Sequence, residues 1–182
     1  DDIRIYNRAL SEEEVAALYE LEKPEPVQEV YHTFTTQVVG SGTITVSPQK
    51  ERYLSGSEVT ITAFPSAGQA LATWSGAASG KQNPITIVLD SDKALTATFA
   101  ELPTITSQPA SQNVLLGQKA SFSLEANGTE PLSYHWRLNG KTIPNVNSQT
   151  YSIDAAELGD AGVYTVIVAN AAGFVKSDDA VL

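Results

Sequence analysis

Apolar and polar residues alternate in short runs between residues 30 and 100. Ile44 and Val46 form one run, Val59, Ile61 and Ala63 a second, Ile85, Ile87 and Leu89 a third, and Leu95, Ala97 and Phe99 a fourth. An apolar residue at every second position is the signature of a strand with one buried face. Gly40-Ser41-Gly42, Ser55-Gly56-Ser57, Ser66-Ala67-Gly68, Ser79-Gly80 and Asp90-Ser91-Asp92 separate these runs, and each is turn chemistry. The pattern predicts a small β-rich unit. The logic repeats over 103–182. Pro103 and Pro109 bracket a first strand of edge type, because proline has no N–H to give to a central ladder. Further runs fall at 120–126, 132–138, 150–153, 163–169 and 174–182, punctuated by Gly117, Asn127-Gly128, Asn139-Gly140 and Ala172-Gly173. Several strands in a stretch of that length predict a sandwich.

The first residues have a different character. Asp2-Ile3-Arg4-Ile5-Tyr6 alternates like a half-buried strand, and Ser11 then opens Ser-Glu-Glu-Glu, with Glu14 three positions on. That spacing is a capping box, and acidic side chains in a first turn complement the helix dipole. Val15, Leu18 and Tyr19 fall on one helical face. Lys23-Pro24-Glu25-Pro26 ends the helix and reads as a stiff linker. One strand and one short helix bury too little apolar surface to offset chain entropy, so residues 1–23 are expected to dock on the middle module or on another chain, or else to remain mobile.

Composition narrows the function classes. The 182 residues carry a formal net charge of -10, which disfavours nucleic-acid binding. Residues 1–30 hold nine acids and three bases, so the acidic excess sits in the helix and linker. No apolar run reaches the roughly 18 residues of a membrane span, so membrane insertion is not expected. The absence of cysteine removes thiol catalysis, disulfides and thiolate metal sites. The chain starts at Asp1 and has no methionine, so it reads as a piece excised from something longer.

Three resemblances follow from these runs. Trp136 lies in Tyr134-His135-Trp136-Arg137 before the Asn139-Gly140 turn, and Leu158 and Asp160-Ala161-Gly162-Val163-Tyr164 follow. This constellation resembles a bacterial immunoglobulin-like domain, in which the tyrosine hydroxyl bonds back to upstream backbone. The resemblance places the family's two cysteines at Leu124 and Val166, so an apolar pair packed on Trp136 replaces the disulfide. Trp136, Tyr164, Leu124 and Val166 are therefore expected core. Residues 31–100 look like the divergent internalin B-repeat modules of bacterial surface proteins, which are small β-grasp-like spacers. The match rests on Val39-Gly40-Ser41-Gly42-Thr43-Ile44, Tyr53–Val59, Trp74-Ser75-Gly76 and 92–99. It departs at Gln69-Ala70-Leu71-Ala72, where an aromatic is expected before Trp74. Residues 1–22 resemble the closing strand and helix of a concanavalin A-like, laminin-G-like jelly roll. Such jelly rolls often bind glycans, but the remnant brings no glycan site with it.

Catalytic chemistry finds little footing. His32 and His135 are the two histidines, each beside aromatics in a strand-like run, and no Gly-x-Ser-x-Gly elbow accompanies them. Asp90 and Asp92 flank a turn, and Asp178-Asp179 reads as edge protection on the last strand. Neither set forms a calcium loop. Gly40-Ser41-Gly42 reads as a turn, not a phosphate loop. Aromatics are the one binding chemistry left, because sugar rings stack on Trp and Tyr faces. Trp74, Tyr53 and Tyr31 are the candidate stacking residues, with Tyr151 also open.

The fold expected is mainly β: tandem small modules, a β-grasp-like B-repeat and then an immunoglobulin-like β-sandwich, preceded by a short strand and helix. The boundaries expected are 1–23, a linker at 24–30, a module at 31–101 and a module at 102–182. No catalytic, cofactor or metal residue is assigned. The function expected is a non-catalytic spacer, presentation or adhesion region of a larger secreted or surface-attached bacterial protein. The rival is a glycan-binding accessory region of a polysaccharide-degrading enzyme, with any such binding confined to residues 1–101. Expected partners are a polysaccharide or surface protein and neighbouring domains of the same chain.

Overall fold

Ser11 caps the helix that its sequence announces. Helix α1 runs Glu12–Glu22; the Glu14 N–H donates to the Ser11 hydroxyl at 3.2 Å, and the Ser11 N–H donates to the Glu14 carboxylate at 2.9 Å. Arg8 forks onto the same carboxylate, and together these bonds hold it down at about 2. Val15 and Tyr19 are exposed on this helix. The computed structural model describes residues 8–23 and 27–182, so the strand expected at 2–6 and the Pro24-Glu25-Pro26 linker lie outside the described residues. The chain divides into two compact units, 1–30 and 31–182.

The second unit is built of strands. Eight fall before residue 102: β1 (Tyr31–His32), β2 (Phe34–Val39), β3 (Gly42–Ser47), β4 (Tyr53–Leu54), β5 (Ser57–Pro65), β6 (Gln69–Gly76), β7 (Ile85–Leu89) and β8 (Lys93–Glu101). They make two three-stranded sheets, ordered β2-β8-β6 and β3-β5-β7, and a β1-β4 ribbon. The second strand and the eighth run parallel, which brings the two ends of the module side by side. The alternating residues Val59, Ile61, Ile87, Leu89, Leu95 and Ala97 all point into one core.

Leu71 and Trp74 share that core although strict alternation would put positions three apart on opposite faces. A register shift between Leu71 and Thr73 supplies the missing step, so the 69–72 stretch is a bulge that aims Trp74 inward. Leu71 faces Phe99 across the ladder, and the Phe99 ring lies against Gly42, where an added Cβ would come 2.5 Å from Cε2. The glycine turn at 40–42 thus makes room for Phe99.

Nine strands follow: β9 (Thr104–Ser107), β10 (Ala120–Ser123), β11 (Glu125–Asn127), β12 (Ser133–Leu138), β13 (Lys141–Thr142), β14 (Thr150–Ile153), β15 (Val163–Ala169), β16 (Phe174–Lys176) and β17 (Ala180–Val181). A 3-10 turn at Leu158–Asp160 precedes β15. One sheet carries β13-β12-β15-β16 with β17 also on β15; β10 pairs β14, and β11 pairs β9. Their inner faces enclose a second core.

Two expected strands are each split in two. The run at 120–126 changes partner at Leu124, whose N–H bonds Gln149 O at 3.1 Å, so β10 and β11 serve different neighbours. The run at 174–182 breaks at Ser177. Its buried hydroxyl accepts from the Val166 N–H at 2.9 Å, and its own N–H donates to Val166 O, so the ladder continues through a side chain. Asp178-Asp179 lies in this break rather than on a bare edge. Gln108 and Ser111 side chains accept from the Asp178 and Val181 N–H groups, and the Gln112 N–H donates to Val181 O.

Candidate functional site

Trp74 and Tyr53 do not present a face to solvent. They are 1 % and 3 % exposed, packed in the first core. The Trp74 indole N–H donates to Gln82 O at 2.8 Å, and the Tyr53 hydroxyl donates to Pro48 O at 3.0 Å while accepting from the Lys50 N–H. An amphipathic ring that has found a backbone partner for its polar tip is fully committed to the interior. Both candidates thus lie in the core, with no open ring face for the stacking expected of them.

Tyr31 differs: it is about half exposed, on the β1-β4 ribbon opposite Leu54. Tyr151 packs on the second core, with its ring centroid 6.1 Å from Trp136 and 5.8 Å from Tyr164. Burial pushes its hydroxyl pKa up. Phe64, on β5, and Phe174, on β16, are exposed aromatics that the sequence reading passed over. With Tyr31 they stand on three different sheets.

Trp136, Tyr164, Leu124 and Val166 all sit in the second core. Trp136 lies directly across the ladder from Val166, and its indole N–H donates to Ser148 O at 2.8 Å. Phe122 stacks on Tyr164 with ring centroids 4.4 Å apart. The Tyr164 hydroxyl donates to Asp160 O at 2.7 Å, closing the corner that the 160–164 spacing predicts. Burial first, and then the nearby Tyr151 and Asp160, push the Tyr164 pKa up to about 12.

The remaining polar candidates are occupied locally. Asp90 pairs with Lys93 at 2.8 Å, and Asp92 accepts from the Thr33 N–H at 2.7 Å. Among the described residues no group of three or more His, Cys, Asp or Glu is placed to hold a metal ion. No helix among them is long and apolar enough to cross a membrane. What the sequence reading missed is a set of amides standing in for backbone. Asn83 makes a two-way bond with Ala63, Asn139 accepts from the Val163 N–H, Asn147 accepts from the Tyr134 N–H, and Asn170 closes its own turn. The signal available was an Asn beside each turn, a position where its short amide competes with main-chain groups.

Residues 32–103 match the family model described as a divergent InlB B-repeat domain, and residues 103–170 match the one described as an immunoglobulin domain. The chain thus carries a B-repeat domain followed by an immunoglobulin-like domain. Such domains are typically non-catalytic, and they are typical of extracellular bacterial proteins. Similar solved structures include titin domain M4 in a trigonal form, at 26% identity over 46% of this chain and 93% of that one, with a TM-score of 0.41. Titin domain M7 matches at 25% identity over 46% and 93%, with a TM-score of 0.41. An E-to-A variant of the three-domain titin segment I67–I69 matches at 11% identity over 85% and 64%, with a TM-score of 0.46.

Proposed function

We propose that this chain is a non-catalytic structural region that spaces or presents the neighbouring domains of a larger exported bacterial protein. The observation that carries this reading is the fate of the large aromatics. Trp74, Tyr53, Trp136 and Tyr164 are buried, and each polar tip is bonded to backbone of its own module. Both tryptophans, the rings best suited to stacking on a sugar, serve the interior together with Tyr53 and Tyr164, and the rings left open among the described residues are Tyr19, Tyr31, Phe64 and Phe174. The domain types support the same conclusion, since both belong to modular structural or adhesion-type regions.

The test is a glycan microarray probed with the labelled full chain. The spacer reading expects no saturable signal on any plant, algal or bacterial polysaccharide. Saturable binding that Tyr31→Ala abolishes would instead favour an accessory glycan-binding role.

A further inference from the structure

The two domains are joined by Leu102-Pro103 alone, yet the junction is densely bonded. The Leu102 N–H donates to Gly68 O at 3.0 Å, tying the connection to the turn before β6. The Glu101 N–H donates to the Thr129 hydroxyl at 2.8 Å, and the Thr129 N–H returns a longer bond to Glu101 O at 3.4 Å. Asn170, in the turn after β15, completes the arrangement. Its Nδ2 donates to Glu101 O at 2.7 Å and to Thr129 O at 2.9 Å. Its Oδ1 accepts from the Ala172 and Gly173 N–H groups at 2.9 and 3.2 Å. One carboxamide thus uses both donors and both lone pairs, the full capacity of the group.

Steric fit accompanies the bonds. A Cβ on Gly173 would come 2.8 Å from Leu102 Cδ2, and one on Gly128 would come 3.0 Å from Pro103 Cα. Both turns of the immunoglobulin-like domain therefore close on the linking residues. Lys81 of the B-repeat domain reaches across to donate to Ala171 O in the same turn as Asn170.

We propose that Asn170 is a clasp that fixes the two domains at one set angle, making the tandem a rigid spacer rather than a flexible one. The acceptor side of its amide folds its own turn, while the donor side holds Glu101 of the preceding domain. This division separates a clasp from a turn-former. Asn170→Asp is isosteric and keeps the acceptors that shape the turn. It loses both donors and sets a negative oxygen against the Glu101 and Thr129 carbonyls. The inference deepens the spacer reading, on which it rests for its purpose but not for its test.

The experiment is measurement of amide residual dipolar couplings on the full chain. In the parent protein, couplings from 31–101 and 103–182 are expected to fit a single alignment tensor. In Asn170→Asp the two domains should require separate tensors while each still fits its own internal structure. Thr129→Val removes the hydroxyl partner of Glu101 without touching the turn at 170–173, and it should shift the tensors apart in the same direction. It provides the reading if Asn170→Asp does not fold. A parent chain that already needs two tensors overturns the clasp and leaves a flexible spacer standing. A folded Asn170→Asp chain that keeps one tensor also overturns it. A positive glycan array would remove the spacer reading and leave the clasp untouched.

Discussion

Trp136 and Tyr164 hold the immunoglobulin-like core from two directions, one by volume and one by a bond. Trp136 is fully buried between Phe122 and Tyr151 and lies across from Val166. Trp136→Ala should cost about 3–5 kcal/mol, because the surrounding sheet cannot collapse into so large a void; urea denaturation would measure it, and a loss near zero would mean the ring is not core. Tyr164 adds a pH dependence. Its pKa of about 12 in the fold exceeds its ordinary value of 10.0, so the fold favours the neutral phenol. The stabilisation is complete below the ordinary value and is lost as pH rises towards the folded value. Phenolate absorbance should therefore show that Tyr164, at least, ionises only as the chain unfolds in alkali; full, early titration of every tyrosine would contradict this. Both residues were legible in the sequence because the Trp136 and 160–164 motifs specify a geometry. Trp74 and Tyr53 were less legible. Alternation shows which face a ring occupies, but not that Gln82 O and Pro48 O wait to take the polar tips.

At the scale of elements, the strands read well where alternation is strict and poorly where a side chain interrupts the ladder. The run at 150–153 and the run at 163–169 appear as β14 and β15 with the same bounds. The 120–126 and 174–182 runs split, because Leu124 marks a change of partner and Ser177 replaces a ladder bond with its hydroxyl. The first leaves the apolar period of Ala120, Phe122, Leu124 and Ala126 unbroken, so the pattern carries no trace of it; the second coincides with the polar stretch Lys176-Ser177-Asp178-Asp179, where the buried positions step from Ser177 to Ala180. The bulge at Leu71–Thr73 is similar: its effect is to turn Trp74 inward, and only the paired strand β8 reveals it. The Leu124–Val166 pair offers a direct test of strand placement. Both are buried in the core around Trp136. Leu124→Cys combined with Val166→Cys should form a bridge under oxidising conditions. It closes a loop worth about 4 kcal/mol by chain entropy, less any strain and the packing lost with two larger side chains. Two free thiols in the folded, oxidised variant, counted by thiol titration, would contradict the facing arrangement.

For the whole molecule, the sequence conveyed a succession of β modules with separate cores. It did not convey what joins them. The junction depends on Asn170, Thr129 and Gly68, residues far apart in the chain whose types announce only turns. The candidate site was legible only as a set of aromatics, and the structure commits the largest of them to the interior. The chain's two tryptophans, Trp74 and Trp136, report on that commitment without any label. The direct measurement is acrylamide quenching of tryptophan emission in the native chain, in denaturant, and with soluble polysaccharides added. Buried indoles give weak quenching in the native chain, a several-fold rise on unfolding, and no change in emission on adding polysaccharide. Native quenching as strong as in the unfolded chain, or an emission shift that saturates with added glycan, would contradict it.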